Sequence, residues 1–177
     1  TADLSVKNEA NAFADRLLSA FPVIDILVNN AGMFQPGNIG EEPEGILEQM
    51  IGANLYSAYF LTRKILPGMK KINSGHIFNM CSVASIQAYP NGGSYSISKF
   101  ALLGLSKALR EELKNFNIKV TALIAGAIYT DSWAEAGLPE SRFMKTEDVA
   151  KLIWDIYNLS ENTVVEEIIL RPMLGDI

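Results

Sequence analysis

The stretch Asp25, Ile26, Leu27, Val28, Asn29, Asn30, Ala31, Gly32 sets how the rest of the chain is read. A short apolar run closed by turn formers suits a strand buried on both faces. Two more runs have this form: residues 76–80, ahead of a Ser-rich turn, and residues 119–124, ahead of Ala125, Gly126 and Ala127. Residues 164–170 supply a fourth candidate strand. Long helical patterns lie between them. One runs over about 44–69, with Ile46, Met50, Ala53, Ser57, Leu61 and Ile65 at helical spacing. Another covers about 94–116, with Leu102, Leu105, Leu109 and Leu113 on one stripe, and a third covers about 146–159, where Glu147 and Asp148 follow a helix start at Thr146.

Strands alternating with long helices imply right-handed crossovers and an α/β fold, a doubly wound, mostly parallel sheet with helices on both faces. A single domain over residues 1–177 is expected from the length. Ligands bind such sheets beyond the carboxyl ends of the strands. Three segments fall there: Asn29 to Gly32, Ser82, and Gly126 to Thr130. The irregular stretch 129–145, with Gly137, Pro139 and two aromatics, suits a lid over the site.

The hydrophobic content of 49% is enough for a sizeable core. No apolar run is long enough to span a membrane and the first ten residues do not form a signal-peptide pattern, so a soluble, cytoplasmic protein is expected. With a net charge of −5 and no basic cluster beyond Lys70 and Lys71, nucleic-acid and anionic-membrane binding are not expected. The single cysteine, Cys81, fits a buried strand position in a reducing compartment. His76, the only histidine, sits near a strand start and reads as a surface or satisfied structural residue. No grouping of His, Cys, Asp and Glu has ligand spacing, so no metal site is expected.

Tyr95, Ser96, Ile97, Ser98, Lys99 carry the chemistry. Four residues apart on a helix, Tyr95 and Lys99 share a face, which would let the ammonium favour ionisation of the phenol. Ser82 lies thirteen residues upstream. A hydroxyl, a phenol and an ammonium at one strand-end crevice suit proton transfer at a carbonyl. Taken alone, Asn54 could equally back-bond to its own helix, and Asn29 and Asn30 could be plain turn formers, while Gly32 permits close backbone approach. Met33, Phe34, Tyr89, Trp133 and Phe143 are candidates to line an apolar pocket.

Together these residues resemble the short-chain dehydrogenase/reductase family over nearly the whole chain. Asn29, Asn30, Ala31 and Gly32 are similar to its Asn-Asn-Ala-Gly turn, Asn54 to its helix asparagine, and Ser82, Tyr95 and Lys99 to its catalytic triad. Asp3 resembles the family's adenine-side aspartate. The tail from Thr163 to Pro172, and Tyr129 to Trp133, look like bacterial sepiapterin-reductase-like members, and similar tails occur in members acting on 3-oxoacyl carrier-protein thioesters.

The resemblance implies a Rossmann-like fold, a nicotinamide cofactor (NADP or NAD, NADP favoured) and reduction of a small ketone or other carbonyl by hydride transfer. It makes Tyr95 the general acid. Lys99 would hold the nicotinamide ribose and depress the phenol pKa, Ser82 would bond the substrate oxygen, and Asn54 would hold a water relaying protons toward Lys99. Asp3, Asn30, Ala31, Gly32, Gly126 and Thr130 would contact the cofactor. Assembly as a homodimer or homotetramer also follows from the resemblance.

Two departures stand out. The chain opens where the family's third strand ends, so the first two βα units and their Gly-rich phosphate loop, roughly sixty residues, are missing and a truncated chain is expected. Ala125 stands where the family usually has proline. The missing loop motivates an alternative reading, a cofactor-free binding or scaffold remnant of the same fold.

Overall fold

A computed structural model describes residues 1–133 and 137–177. Helix α1 (Lys7–Ala20) leads to β1 (Ile26–Asn29), then α2 (Ile46–Ile51), a π-helical turn at Gly52–Tyr56, and α3 (Ser57–Ile72). Strand β2 (Gly75–Ser82), α4 (Gly93–Leu113), β3 (Ile118–Ala125), α5 (Thr146–Tyr157) and β4 (Glu167–Leu170) follow. The strands form one parallel sheet in the order β1-β2-β3-β4, with Ile26 against His76, Ile77 against Val120, and Leu123 against Ile168. Helices cover both faces, as the alternation of strands and helices predicts.

Strand alternation divides the core. Ile77 joins Leu27, Ile65, Met69, Leu109, Leu113, Ile118 and Val120 on the face covered by α3 and α4. Phe78 and Leu123 point to the opposite face, where Val149 and Ile156 of α5 meet them. A polar chain runs through the first face. Asn29 Nδ2 donates to Asn79 Oδ1 at 2.7 Å and to Thr62 Oγ1 at 3.2 Å, and Asn79 Nδ2 donates to Ser106 Oγ at 2.8 Å. Buried amides linked in this way bind β1, β2, α3 and α4 into one register. Asn29 is thus a core residue rather than a turn former.

The predicted helix over 44–69 is interrupted. Gly52–Tyr56 is a π turn, whose extra residue per turn rotates Asn54 into the protein interior. The strand predicted over 164–170 shortens to Glu167–Leu170, because Val165 and Glu166 offer only their carbonyls to Thr121 and Ala122. Helix α1 has no counterpart in the sequence reading: it buries only Ala10 and Ala14 against α3, too thin a stripe to stand out. Thr146 opens α5 as predicted, but its hydroxyl turns to the Glu147 carboxylate, and Lys145 is the cap residue.

His76 takes the structural one of the two roles expected for it. It is buried, its Nε2 lies 2.8 Å from Thr121 Oγ1, and its ring stacks on Phe78 at 3.9 Å between centroids. Among the described residues its Nδ1 has no hydrogen-bond partner. Cys81 is buried in β2, as expected. Among the described residues no helix is long and apolar enough to cross a membrane, and no group of His, Cys, Asp and Glu is placed to hold a metal.

Candidate active site

The carboxyl end of β2 runs into a tight turn at Val83–Ser85, where Ser82 Oγ accepts the Ala84 N–H and Ser85 Oγ accepts the Ser82 N–H, both at 3.1 Å. This capping box fixes the Ser82 hydroxyl at the strand end. Tyr95 and Lys99 occupy the first turns of α4, which packs over β2 and β3. Lys99 is buried, and its Nζ stands 5.7 Å from the Tyr95 ring centroid while donating to the Met80 carbonyl at 2.8 Å.

Asn54 completes the group from the π turn. Its Oδ1 accepts the Met33 N–H at 2.8 Å, and its Nδ2 donates to the Met33 carbonyl at 3.0 Å and to Ser98 Oγ at 2.8 Å. Ser98 Oγ passes its own proton to the Tyr95 carbonyl at 2.7 Å. The carboxamide therefore joins the loop after β1 to the helix that carries Tyr95, instead of back-bonding to its own helix. Both Nδ2 hydrogens are engaged.

Burial raises the Tyr95 phenol above its ordinary value of 10.0, and the Ser82 hydroxyl draws it partly back. Desolvation lowers the Lys99 ammonium from 10.5 to about 8. The expected depression of the phenol by Lys99 is not realised in the free protein: desolvation of the phenolate dominates, and the Ser82 hydroxyl is what opposes it. A raised phenol stays protonated at neutral pH, the state a proton donor requires.

The candidate cofactor residues divide into three places. Asn30, Ala31 and Gly32 are exposed in the loop after β1. A Cβ on Gly32 would stand 2.8 Å from Asn54 Oδ1 and 3.8 Å from Lys99 Nζ, so the missing side chain is what lets the loop close against Asn54 with Lys99 nearby. Gly126 donates its N–H to the Leu170 carbonyl at the end of β3, and Thr130 follows in an exposed turn. Asp3 lies apart, at the start of α1, where Oδ1 accepts the Ser5 N–H and hydroxyl. These bonds hold its carboxyl below the usual carboxylate range. The exposed backbone of Asn30 to Gly32, with the Lys99 ammonium near Gly32, offers polar groups of the kind that ribose hydroxyls bond.

Aromatic side chains border Tyr95. Phe34 meets it edge to face at 4.8 Å and stacks on Trp133 at 6.4 Å, Trp133 meets Phe143 at 5.4 Å, and Tyr129 meets Phe143 at 5.6 Å. Three of the five predicted pocket residues are thereby brought together. The Met33 backbone is held by Asn54, and Tyr89 is partly exposed, with burial of its phenol raising the pKa to about 12. The base of the predicted lid is pinned where Tyr129 N–H donates to the Met144 carbonyl and Met144 N–H to the Ala127 carbonyl. Its central residues, 134–136, lie outside the described residues.

The profile of the short chain dehydrogenase family matches residues 1–140. The chain belongs to the short-chain dehydrogenase family. Sepiapterin reductase of Chlorobaculum tepidum is 34% identical over 178 residues, a match covering 100% of this chain and 73% of that protein. An alcohol dehydrogenase from the archaeon Thermococcus sibiricus, solved with 5-hydroxy-NADP, has the same fold with a TM-score of 0.90 and 24% identity, over 99% of this chain and 74% of that one. A 7α-hydroxysteroid dehydrogenase solved with NADH and 7-oxo glycochenodeoxycholic acid superposes with a TM-score of 0.87 and 27% identity, over 99% and 72% of the two chains. Within this short-chain dehydrogenase, sequence reading missed Ser98, the Met80 carbonyl and Glu42. Ser98 sits inside the Tyr95 to Lys99 run, a signal in plain view, whereas the other two depend on contacts between distant segments.

Proposed function

We propose that the chain reduces a small ketone at the expense of a nicotinamide dinucleotide, NADP ahead of NAD, with Tyr95 as general acid. The observation that supports this reading most is the Tyr95 phenol lying between the Ser82 hydroxyl and the Lys99 ammonium near the carboxyl end of β2, with Asn54 bonded to the same helix through Ser98.

When bound, the dinucleotide supplies the hydride. Charge then develops on the carbonyl oxygen, and a donor held close to that oxygen stabilises it. The protonated Tyr95 phenol meets that need, and Ser82, fixed by its capping box, positions the oxygen beside it. Lys99, at about 8, is close enough to neutral pH to give up and regain a proton, and so serves to reprotonate the phenol. Its place beside Gly32 also suits contact with the ribose hydroxyls. Asn30, Ala31, Gly32, Gly126 and Thr130 supply backbone and hydroxyl contacts, and Asp3 the adenine end. Phe34, Trp133, Phe143 and Tyr129 favour a substrate with a flat or apolar body, for which a pterin side-chain ketone or a 3-oxoacyl thioester are the leading candidates.

Steady-state oxidation of NADPH with a small diketone or a pterin ketone tests the reading, and substrate-dependent turnover above the buffer rate is the expected result. Absence of any saturable change in nicotinamide fluorescence would instead favour a cofactor-free binding role. Tyr56, Tyr59, Ile97 and Phe100 are exposed on the π turn, α3 and α4. We propose that this apolar surface pairs with a second copy, and a monomeric mass by light scattering would exclude it.

A further inference from the structure

The loop between β1 and α2 is fastened to the start of α4 at three points. Gly37 N–H donates to the Asn91 carbonyl at 2.9 Å, and Asn91 N–H donates to Asn38 Oδ1 at 3.2 Å. Glu42 makes the third. Its Oε1 accepts the Ser94 N–H at 2.9 Å, and its Oε2 accepts the Ser94 hydroxyl at 2.5 Å. Ser94 is buried and directly precedes Tyr95.

Helix α4 has no cap of its own, since Gly92 at its N-terminus offers no side chain. The amides of a first helical turn lack intrahelical partners, and a carboxylate placed there satisfies them and complements the helix dipole. Space for this carboxylate exists only because two neighbours are glycines. A Cβ on Gly37 would stand 2.6 Å from Glu42 Cγ, and one on Gly93 would collide with Glu42 Oε1 and lie 2.7 Å from the Gly37 carbonyl. The same loop carries Phe34, whose ring edge meets Tyr95.

We infer that Glu42 is a positioning residue: by capping α4 from the β1–α2 loop, it fixes the turn that sets the Tyr95 phenol against Ser82. The inference rests on the reading of Tyr95 as general acid. Displacements of about 1 Å at a reacting group cost as much as a hundredfold in rate, so a helix turn left to fray would matter to turnover before it mattered to folding.

The test compares the unaltered protein with Glu42→Gln, Glu42→Asp and Ser94→Ala, using NADPH and a diketone, with amide hydrogen exchange over residues 93–99 measured alongside. In Glu42→Gln we expect kcat to fall by on the order of ten- to a hundredfold, with the KM for NADPH changed less than about twofold and exchange of the 94–96 amides accelerated. Glu42→Asp, with the charge retained on a shorter arm, should recover part of kcat. Ser94→Ala, which keeps the backbone bond, should be milder. Accelerated exchange with unchanged kcat would reduce Glu42 to a structural cap and overturn the inference, as would unchanged exchange. Should the unaltered protein show no turnover, the proposed function fails on that result alone. The positioning inference is then decided by ultraviolet titration of the Tyr95 phenol, read as the difference from Tyr95→Phe in each background. A fall toward the ordinary value in Glu42→Gln supports it, and an unchanged titration overturns it.

Discussion

Asn54 holds Met33 by both of that residue's backbone polar groups, accepting its N–H at 2.8 Å and donating to its carbonyl at 3.0 Å. A helix residue thereby sets the register of the loop that follows Gly32. The contact needs the π turn, since an uninterrupted α-helix would place the side chain differently around the axis.

Replacing Asn54 by alanine should therefore disturb more than one element. The Met33 N–H and carbonyl lose their partner while the Ser98 hydroxyl keeps its bond to the Tyr95 carbonyl, and a buried polar group left unpaired costs about 1–3 kcal/mol. The expected outcome is a drop in unfolding free energy of about that size, with a lower denaturant midpoint and an unchanged m-value. A midpoint equal to that of the unaltered protein would show the loop to be held by other contacts.

Tyr95→Phe removes only the phenol oxygen and keeps the ring against Phe34. Turnover should fall by about 10²–10⁴-fold, the range for loss of a general acid, while nicotinamide titration and the thermal midpoint stay close to those of the parent. Normal turnover in this variant would remove Tyr95 from the mechanism.

The tautomer of His76 follows from its neighbours. Thr121 donates its one hydroxyl proton to the Val165 carbonyl at 2.7 Å, so His76 Nε2, at 2.8 Å, must donate to Thr121 Oγ1. Nδ1 is then the unprotonated nitrogen, buried without a partner among the described residues. Desolvation, helped by the charge of Lys119, lowers the pKa from 6.5 to about 4. The unfolded chain takes up the proton at higher pH than the folded one, so this group contributes stability above pH 6.5 that is lost as the pH falls through about 4. Urea unfolding at several pH values should show a shallower decline between pH 6.5 and 4 in His76→Phe than in the parent. Equal slopes would mean that His76 does not titrate in this way.

Phe34 contacts Tyr95 and Trp133 at once. Aromatic pairs of this kind are worth about 0.5–1.5 kcal/mol beyond burial. Phe34→Ala should raise KM for the carbonyl substrate several-fold and leave KM for NADPH nearly unchanged. An equal rise in both would place the ring on the cofactor side.

Local pattern by itself determined the parallel α/β fold, because short apolar runs and leucines at helical spacing are written in consecutive residues, although only β2 and β3 are buried on both faces and the edge strands leave Val28 and Ile169 exposed. It also marked Ser82, Tyr95 and Lys99, since a helical offset of four and a strand-end serine are short-range facts. Tertiary structure decided what those residues experience. The rise in the Tyr95 pKa comes from burial of its phenol against residues distant in sequence, Phe34 among them, and the Lys99 ammonium turns to the Met80 carbonyl, an acceptor on another element. Asn29 and Asn30 are adjacent in sequence, yet alternation along β1 sends Asn29 into the core to bond Asn79 and leaves Asn30 exposed. The π turn at Asn54 and the cap from Glu42 were invisible for the same reason. Each is fixed by a hydrogen-bond partner more than twenty residues away, and such a partner has a position only once the chain has folded.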